Sequence, residues 1–465
     1  MSTFDFDAVL SRAVSGTKAS FVRELLKYKS EVEDIADGAG GFPPPEFMPL
    51  ELMSEFGIPI KIPKDPDERK EFIAEWMETH DGQEPITDWE TAAQYSPSAG
   101  ADYFLRDLIP FIHEMTGISV TKDQILVSNG GQEGLMLAGL TFLDRGDVVY
   151  TYPATYLGAI PVFNLVGAKR QPVLIDNHGI IPSAFEVLLH GADPNAASQV
   201  QIDFSGSLED MTERVEVEME RISRKGKLLY INAFFDNPSQ TVMSPERGKE
   251  LVRLALEHNF VILQDEPYAS CGTADCEIDY LANIALREYG VNPVVTALTF
   301  SKIGLAGLRL GVLFGDQRLI SKIVDVKGAA SLCTSALTQA YGSHLIRHTD
   351  WKQRLSDLRE GYAEKREVFI DAFNSAPHLS QMVESIEGGS LFCWLKFKKT
   401  YDGREVDVSE MFTEENIRAH KVAIVPGYEC GGKINTARVN VGGTPERLRL
   451  MVDRWEDIAR EMYGE

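Results

Sequence analysis

Thr299-Phe300-Ser301-Lys302-Ile303-Gly304-Leu305-Ala306-Gly307-Leu308-Arg309-Leu310-Gly311 is where the architecture and the chemistry of this chain meet. A lysine stands between small hydroxyl and glycine residues just after an apolar, strand-like run, Val294 to Phe300, and an arginine follows seven residues later. A lysine enclosed in such a place, rather than lying on the surface, has a lowered pKa, and its amine can act as nucleophile and proton shuttle. Upstream, Asp265-Glu266-Pro267-Tyr268 ends another apolar run, Phe260 to Leu263. Ligands of open α/β sheets bind at such strand ends, and a buried aspartate there needs a partner. The set suits pyridoxal phosphate (PLP): Lys302 to hold the aldehyde as a Schiff base, Asp265 to face the pyridine nitrogen, Arg309 to face the phosphate.

Other stretches extend the pattern. Ser128-Asn129-Gly130-Gly131-Gln132-Glu133-Gly134-Leu135 is a glycine-rich turn between an apolar run and a helical one. Free backbone N–H groups and the helix dipole at such a turn favour a phosphate. It lacks the Gly-Lys-Ser/Thr ending of an ATP-binding loop. Thr299 and Arg309 are the candidates to complete the cup. Asn237, in Asn237-Pro238-Ser239-Gln240, and Tyr268 are candidates for the ring oxygen, and Tyr156 for stacking on the ring face. Arg438 alternates with apolar residues in Thr436-Ala437-Arg438-Val439-Asn440-Val441. An inward-facing strand arginine needs an anion, which is either a substrate carboxylate held by two hydrogen bonds or a structural acid.

From Tyr103 onward, strand-like and helical segments alternate. Ile125 to Ser128, Val148 to Tyr152, Leu228 to Ala233, Val261 to Gln264, Val294 to Phe300 and Gly311 to Phe314 read as strands, and Glu133 to Leu143 reads as a helix. This is an α/β pattern: a mostly parallel sheet flanked by helices. Helices are also expected over Lys18 to Tyr28, Glu68 to Glu78 and, as one long element, Leu345 to Phe373. Leu391 to Phe397 and Ala437 to Val441 read as strands of a smaller α+β domain. The expected division is an N-terminal arm with part of the small domain over 1–94, a large cofactor-binding domain over 95–338, and the C-terminal small domain over 339–465. The polar stretch Gly191 to Lys227 reads as a surface insertion carrying an acidic amphipathic helix, Leu208 to Arg224.

The chain has 465 residues, enough for one large or two to three ordinary domains. A formal charge of -24 argues against nucleic-acid and anionic-membrane partners. Five cysteines, an odd and sparse count, point to a reducing, cytoplasmic setting rather than a disulfide framework. Cys271 and Cys276 lack the clustered partners of a zinc site, so no metal is expected. The acidic start, Met1-Ser2-Thr3-Phe4-Asp5-Phe6-Asp7, is not a signal peptide, and no apolar run has the length of a membrane span.

Asn237-Pro238, Asp265-x-x-Tyr268, Ser301-Lys302 with Gly307-Leu308-Arg309, and Arg438 occur here in an order that resembles the fold-type I PLP aminotransferases of class I/II. Within them the chain looks most like the group of 2-aminoadipate aminotransferase and kynurenine aminotransferase II, from about Lys18 to the C-terminus. The resemblance implies a large domain with a seven-stranded-type sheet, and a homodimer with shared active sites acting on amino acids and 2-oxo acids. By the same resemblance Lys302 is the catalytic base and cofactor anchor. Gly131, Gln132, Thr299, Ser301 and Arg309 hold the phosphate, and Arg438 with Asn237 holds the substrate α-carboxylate. Tyr95 is implied to reach the phosphate of the neighbouring subunit. Arg23 and Gly41 match the N-terminal helix and substrate-side loop, where Arg23 would meet a distal carboxylate.

Some positions depart from the family pattern. Ala306 replaces a frequent proline, Ser239-Gln240 replaces Thr-Gly, Glu133 replaces a neutral residue, and Tyr152 stands where an acid is common. The expected activity is ping-pong amino-group transfer. A lyase acting by elimination would use the same residues, and a non-catalytic regulator would need a DNA-binding segment that the short acidic N-terminus does not resemble.

Overall fold

The computed structural model describes residues 28, 31–40, 47, 65–79, 94–190, 226–273 and 276–464. The expected helix Lys18 to Tyr28 (save Tyr28), Arg23, Gly41 and nearly all of the Gly191 to Lys227 insertion lie outside them.

A short strand, β1 (Ala36–Asp37), precedes the seven strands of the main sheet. These are β2 (Ile125–Ser128), β3 (Val148–Thr151), β4 (Lys169–Pro172), β5 (Gly226–Ile231), β6 (Val261–Asp265), β7 (Val294–Thr299) and β8 (Gly311–Gly315). Their order across the sheet is β2–β8–β7–β6–β5–β3–β4. β8 runs antiparallel to both neighbours and every other pair is parallel.

Helices cover both faces, so the inner strands are apolar almost without interruption. Successive side chains still part company, as the pleat requires. Ile125, Val127, Leu229, Ile231, Ile262, Val312 and Phe314 join one core with Phe104, Leu108 and Phe111 of α1 (Asp102–Thr116). Leu126, Leu228, Tyr230, Leu263 and Leu313 face the other way, against Leu135 and Leu137 of α2 (Gly131–Phe142). The edge strand β4 is the polar sequence Lys169-Arg170-Gln171-Pro172. Its charges and terminal proline suit an edge position, where one side needs no ladder donors.

On the first face lie α3 (Pro245–His258) and α4 (Leu281–Tyr289), and on the second α5 (Gln317–Ala330). Beyond them run α6 (Ala336–His348) and α7 (Trp351–Ser375). These two replace the single helix expected over Leu345 to Phe373. The apolar periodicity runs through the junction, but Thr349 is extended and the Asp350 side chain accepts the Gln353 N–H at 3.0 Å, which starts a new helix.

A smaller antiparallel sheet follows the order β9 (Val383–Gly388), β10 (Phe392–Phe397), β13 (Thr436–Asn440), β12 (Val425–Pro426). β11 (Val422–Ala423) pairs in parallel with β1. A separate core gathers Phe369 and Phe373 of α7, Leu395 and Phe397 of β10, and Trp455 of α8 (Pro445–Tyr463), with Val32, Ile35 and Ala36 from the chain's start.

Asp350→Ala removes the cap that separates α6 from α7. The expected cost is about 1 kcal/mol of stability, read as a lowered denaturant midpoint, with Asp350→Ser recovering most of it.

Candidate active site

The carboxyl ends of β5, β6 and β7 point to one place. Asp265 is the last residue of β6, Thr299 the last of β7, and Lys302 lies three residues beyond it. Asp265 is 7% exposed, and the Tyr230 hydroxyl on β5 donates to its Oδ2 at 2.9 Å. Burial pushes its carboxyl up to about 6, against the pull of Tyr230, Asn232 and the Lys302 ammonium. Lys302 moves the other way. Burial first, and then the Arg438 and Arg309 guanidiniums, lower its amine to about 8 while Cys271 and Asp265 oppose them. The same dry setting disfavours the charged form of both groups.

After β5 the chain turns through Asn237. Its Nδ2 donates to the Tyr268 hydroxyl at 2.9 Å and its Oδ1 accepts from Arg438 Nη1 at 3.0 Å. Arg438, in the middle of β13, is 2% exposed. Its Nη2 donates to the Ala39 carbonyl at 2.8 Å, and its guanidinium lies over the Phe392 ring, 4.4 Å from the centroid. Its Nε is buried without a hydrogen-bond partner. Among the described residues no carboxylate pairs with it, so the structural acid left open by the sequence is not found among them.

The glycine turn lies against Arg309. α2 begins at Gly131 with no side-chain cap. Gly130 has φ +78°, and a Cβ there would lie 2.7 Å from Arg309 Nη2, so the guanidinium packs directly on the turn. Thr299 Oγ1 donates to Ser301 Oγ at 3.0 Å and also accepts the Ser301 N–H. Gly131, Thr299, Ser301 and Arg309 are thus brought together. Gln132 is tied back instead: its Nε2 donates to the Gly158 carbonyl at 2.7 Å and its Oε1 accepts from the Tyr156 hydroxyl at 3.3 Å. Tyr95 is 80% exposed, while Ser96 beside it is anchored to Thr334 and Gln339.

Three contributors escaped the sequence. Tyr230 reads as one more apolar strand residue, Phe392 as core, and Ala39 acts through its carbonyl alone. A fourth, Gln240, explains a departure from the family. It occupies a left-handed conformation, φ +61°, where glycine is easier. Its Nε2 donates to the Asp236 carbonyl at 2.9 Å, and its Oε1 accepts from Ser390 N and Oγ at 3.1 and 2.7 Å. The side chain thereby fastens the Asn237 turn to the small sheet.

These residues fit PLP. The glycine cradle under Arg309 suits its phosphate, the buried Asp265 carboxyl its ring nitrogen, and the orphaned Nε marks Arg438 as a site for an arriving anion.

A family model described as aminotransferase class I and II matches residues 64–454, and the chain belongs to this family. The chain is 26% identical over 463 residues to aromatic-amino-acid aminotransferase 1 of Thermococcus litoralis, covering 99% of this chain and 96% of that one. It is 26% identical over 443 residues to a 2-aminoadipate transaminase of Thermus thermophilus, covering 95% and 93%. Among solved structures it is similar to a kynurenine aminotransferase of Pyrococcus horikoshii, described in complex with PMP, KYN as substrates and KYA as products. The TM-score is 0.75, with 25% identity and 98% of each chain covered. The protein is a PLP-dependent aminotransferase with the fold-type I architecture.

The lowered amine gives a direct test. The neutral, reactive form of Lys302 dominates above its pKa, so reductive methylation of Lys302 in cofactor-free protein rises with pH and levels off past about 8. Surface lysines keep rising toward about 10.4. Mass spectrometry of the modified peptide separates the two; a Lys302 profile matching the surface lysines contradicts the assignment.

Proposed function

We propose that this chain transfers the amino group of an amino acid to a 2-oxo acid with Lys302 as the proton-transferring base and Arg438 as the clamp for the α-carboxylate. The observation that carries the reading is Arg438: a buried guanidinium with an unpartnered Nε, beside Asn237 and without an acid among the described residues. Bound at this site, PLP supplies an aldehyde and an electron-accepting ring. Lys302 Nζ would anchor the aldehyde and, once the substrate amine has displaced it, would take the proton from the substrate Cα and deliver it to the former aldehyde carbon. Its lowered pKa means that little free energy is spent on shedding its own proton near neutral pH. Asp265 holds the protonated ring nitrogen, and Tyr230 keeps that carboxylate oriented. Asn237 and Tyr268 would meet the ring oxygen, Tyr156 the ring face, and Gly131, Thr299, Ser301 and Arg309, with the main-chain N–H of Gln132, would hold the phosphate, the Gln132 side chain being tied to Gly158 and Tyr156.

The same reading makes the enzyme a homodimer. Tyr95, Leu332 and Leu337 are exposed, and Ser96 is hydrogen-bonded to Thr334, between the two leucines. That exposed apolar group suits a subunit contact, with Tyr95 reaching the partner's phosphate site. The reading divides the chain at about residues 94 and 338 into an arm, a large domain and a small domain. The five cysteines are free thiols, which supports a reducing, cytoplasmic setting. Among the described residues no helix is long and apolar enough to cross a membrane. The charge of -24 supports small-molecule substrates over nucleic acid.

For donors, the names of the relatives suggest aromatic amino acids and 2-aminoadipate. Phe392 at the guanidinium and Trp394, directly across from Arg438 in the strand pairing, favour a bulky side chain.

Arg438→Ala is expected to lower kcat/KM at least 100-fold for every amino acid tried, in keeping with the loss of a charge-assisted contact of about 3 kcal/mol; unchanged kinetics remove the carboxylate role. Arg23→Ala is expected to penalise 2-aminoadipate at least tenfold more than phenylalanine. Equal losses would take Arg23 out of substrate recognition.

A further inference from the structure

Glu133 is hard to reconcile with its surroundings at first sight. It lies in the first turn of α2, where the helix dipole and uncapped N–H groups attract an anion. A bare carboxylate there competes with the phosphate for the same field. Its contacts remove the conflict. Oε2 accepts the Asn129 N–H at 2.6 Å and Lys327 Nζ at 2.7 Å. Oε1 accepts Asn129 Nδ2 at 2.9 Å and the Ser331 hydroxyl at 2.6 Å. Burial pushes this carboxyl up, but the Asn129 N–H, the Lys327 ammonium and Ser331 outweigh it and hold Glu133 below the usual range.

Lys327 is the unusual member. Its side chain is 0% exposed although it lies in the last turn of α5, where a lysine ordinarily reaches solvent. Its ammonium contacts Glu133 and Ser331, at 2.7 and 3.2 Å. Asn129 is the residue before Gly130, so the carboxylate grips the peptide that sets the phosphate turn.

We infer that Glu133 and Lys327 are a positioning pair for the cofactor phosphate: Glu133 fixes the Asn129–Gly131 backbone, and Lys327 cancels its charge so that the helix terminus and Arg309 face the dianion unopposed. This rests on the reading of the glycine turn as the phosphate site. It goes beyond that reading by giving a function to the acid that departs from the family pattern, and to a lysine buried on the same helix face as Ile320 and Ile323. Neither residue touches the reacting atoms.

The test compares PLP with pyridoxal, which lacks the phosphate, in absorbance titrations of the full-length chain freed of cofactor. Wild type is expected to prefer PLP strongly; no preference would overturn the phosphate reading itself, before the pair is at issue. Lys327→Met leaves Glu133 uncancelled and is expected to weaken PLP at least 20-fold with pyridoxal changed less than twofold. Adding Glu133→Gln is expected to bring PLP back to within about fivefold of wild type. Equal losses for both ligands, or no recovery in the double variant, overturn the inference and leave the pair merely structural. Should Lys327→Met fail to fold, Glu133→Gln alone decides. Glutamine keeps an oxygen for the Asn129 N–H and leaves the Lys327 ammonium uncancelled, so PLP is expected to bind at least threefold tighter and pyridoxal not. An unchanged or weaker PLP affinity overturns the inference.

Discussion

A guanidinium taken out of water must be met by something, and the way Arg438 is met organises this molecule. Desolvating such a charge costs several kcal/mol. The Asn237 amide oxygen and the Ala39 carbonyl each return about 1.5–3 kcal/mol, and the Phe392 ring face about 2 more when dry. These groups belong to the turn after a main-sheet strand, to the chain's opening segment and to the small sheet. Satisfying one cation therefore draws three parts of the chain to a single point. The neutral partners leave the positive charge uncancelled, which is what the proposed grip on a substrate carboxylate requires.

Lys302 and Asp265 feel the same low-dielectric environment with opposite results. The amine is drawn down to about 8 and the carboxyl up to about 6, each toward its neutral form and toward the pH at which an enzyme works. Electrostatics at the other end of the site follow a different rule. There a half-buried carboxyl is held below its usual range, because Glu133 is met by Lys327 Nζ and by neutral donors. The contrast is one of hydrogen-bond supply. Glu133 has four donors to its two oxygens, whereas Asp265 has the hydroxyl of Tyr230 at its Oδ2.

The sequence made the central architecture legible because inner strands of a two-sided sheet leave long apolar runs, and because residues at their ends fall at definable positions. Asp265, Thr299 and Lys302 could be placed that way. Periodicity also turned Arg438 inward. It could not say what Arg438 meets, since Asn237 lies 201 positions away and Ala39 399. The polar β4 carries no hydrophobic signal at all, and the α6–α7 break hides inside an unbroken periodic stretch because one capping aspartate makes it. Lys327 shares a helix face with Ile320 and Ile323, but the acid that meets it lies on α2, 194 positions upstream. Gln240 stood out only as a misfit; its compensation by Ser390 is a tertiary fact.

The Ala39 contact has an implication for how this region can change over evolutionary time. What reaches the guanidinium is a main-chain oxygen, and the Asn440 amide likewise holds the carbonyl of Gly40. Main-chain atoms are the same whatever letter the gene encodes, so any residue small enough for the buried position of Ala39 keeps the contact, whereas a deletion that shifts the peptide by one unit withdraws the oxygen altogether. Length, together with small size, is what natural selection has to guard there.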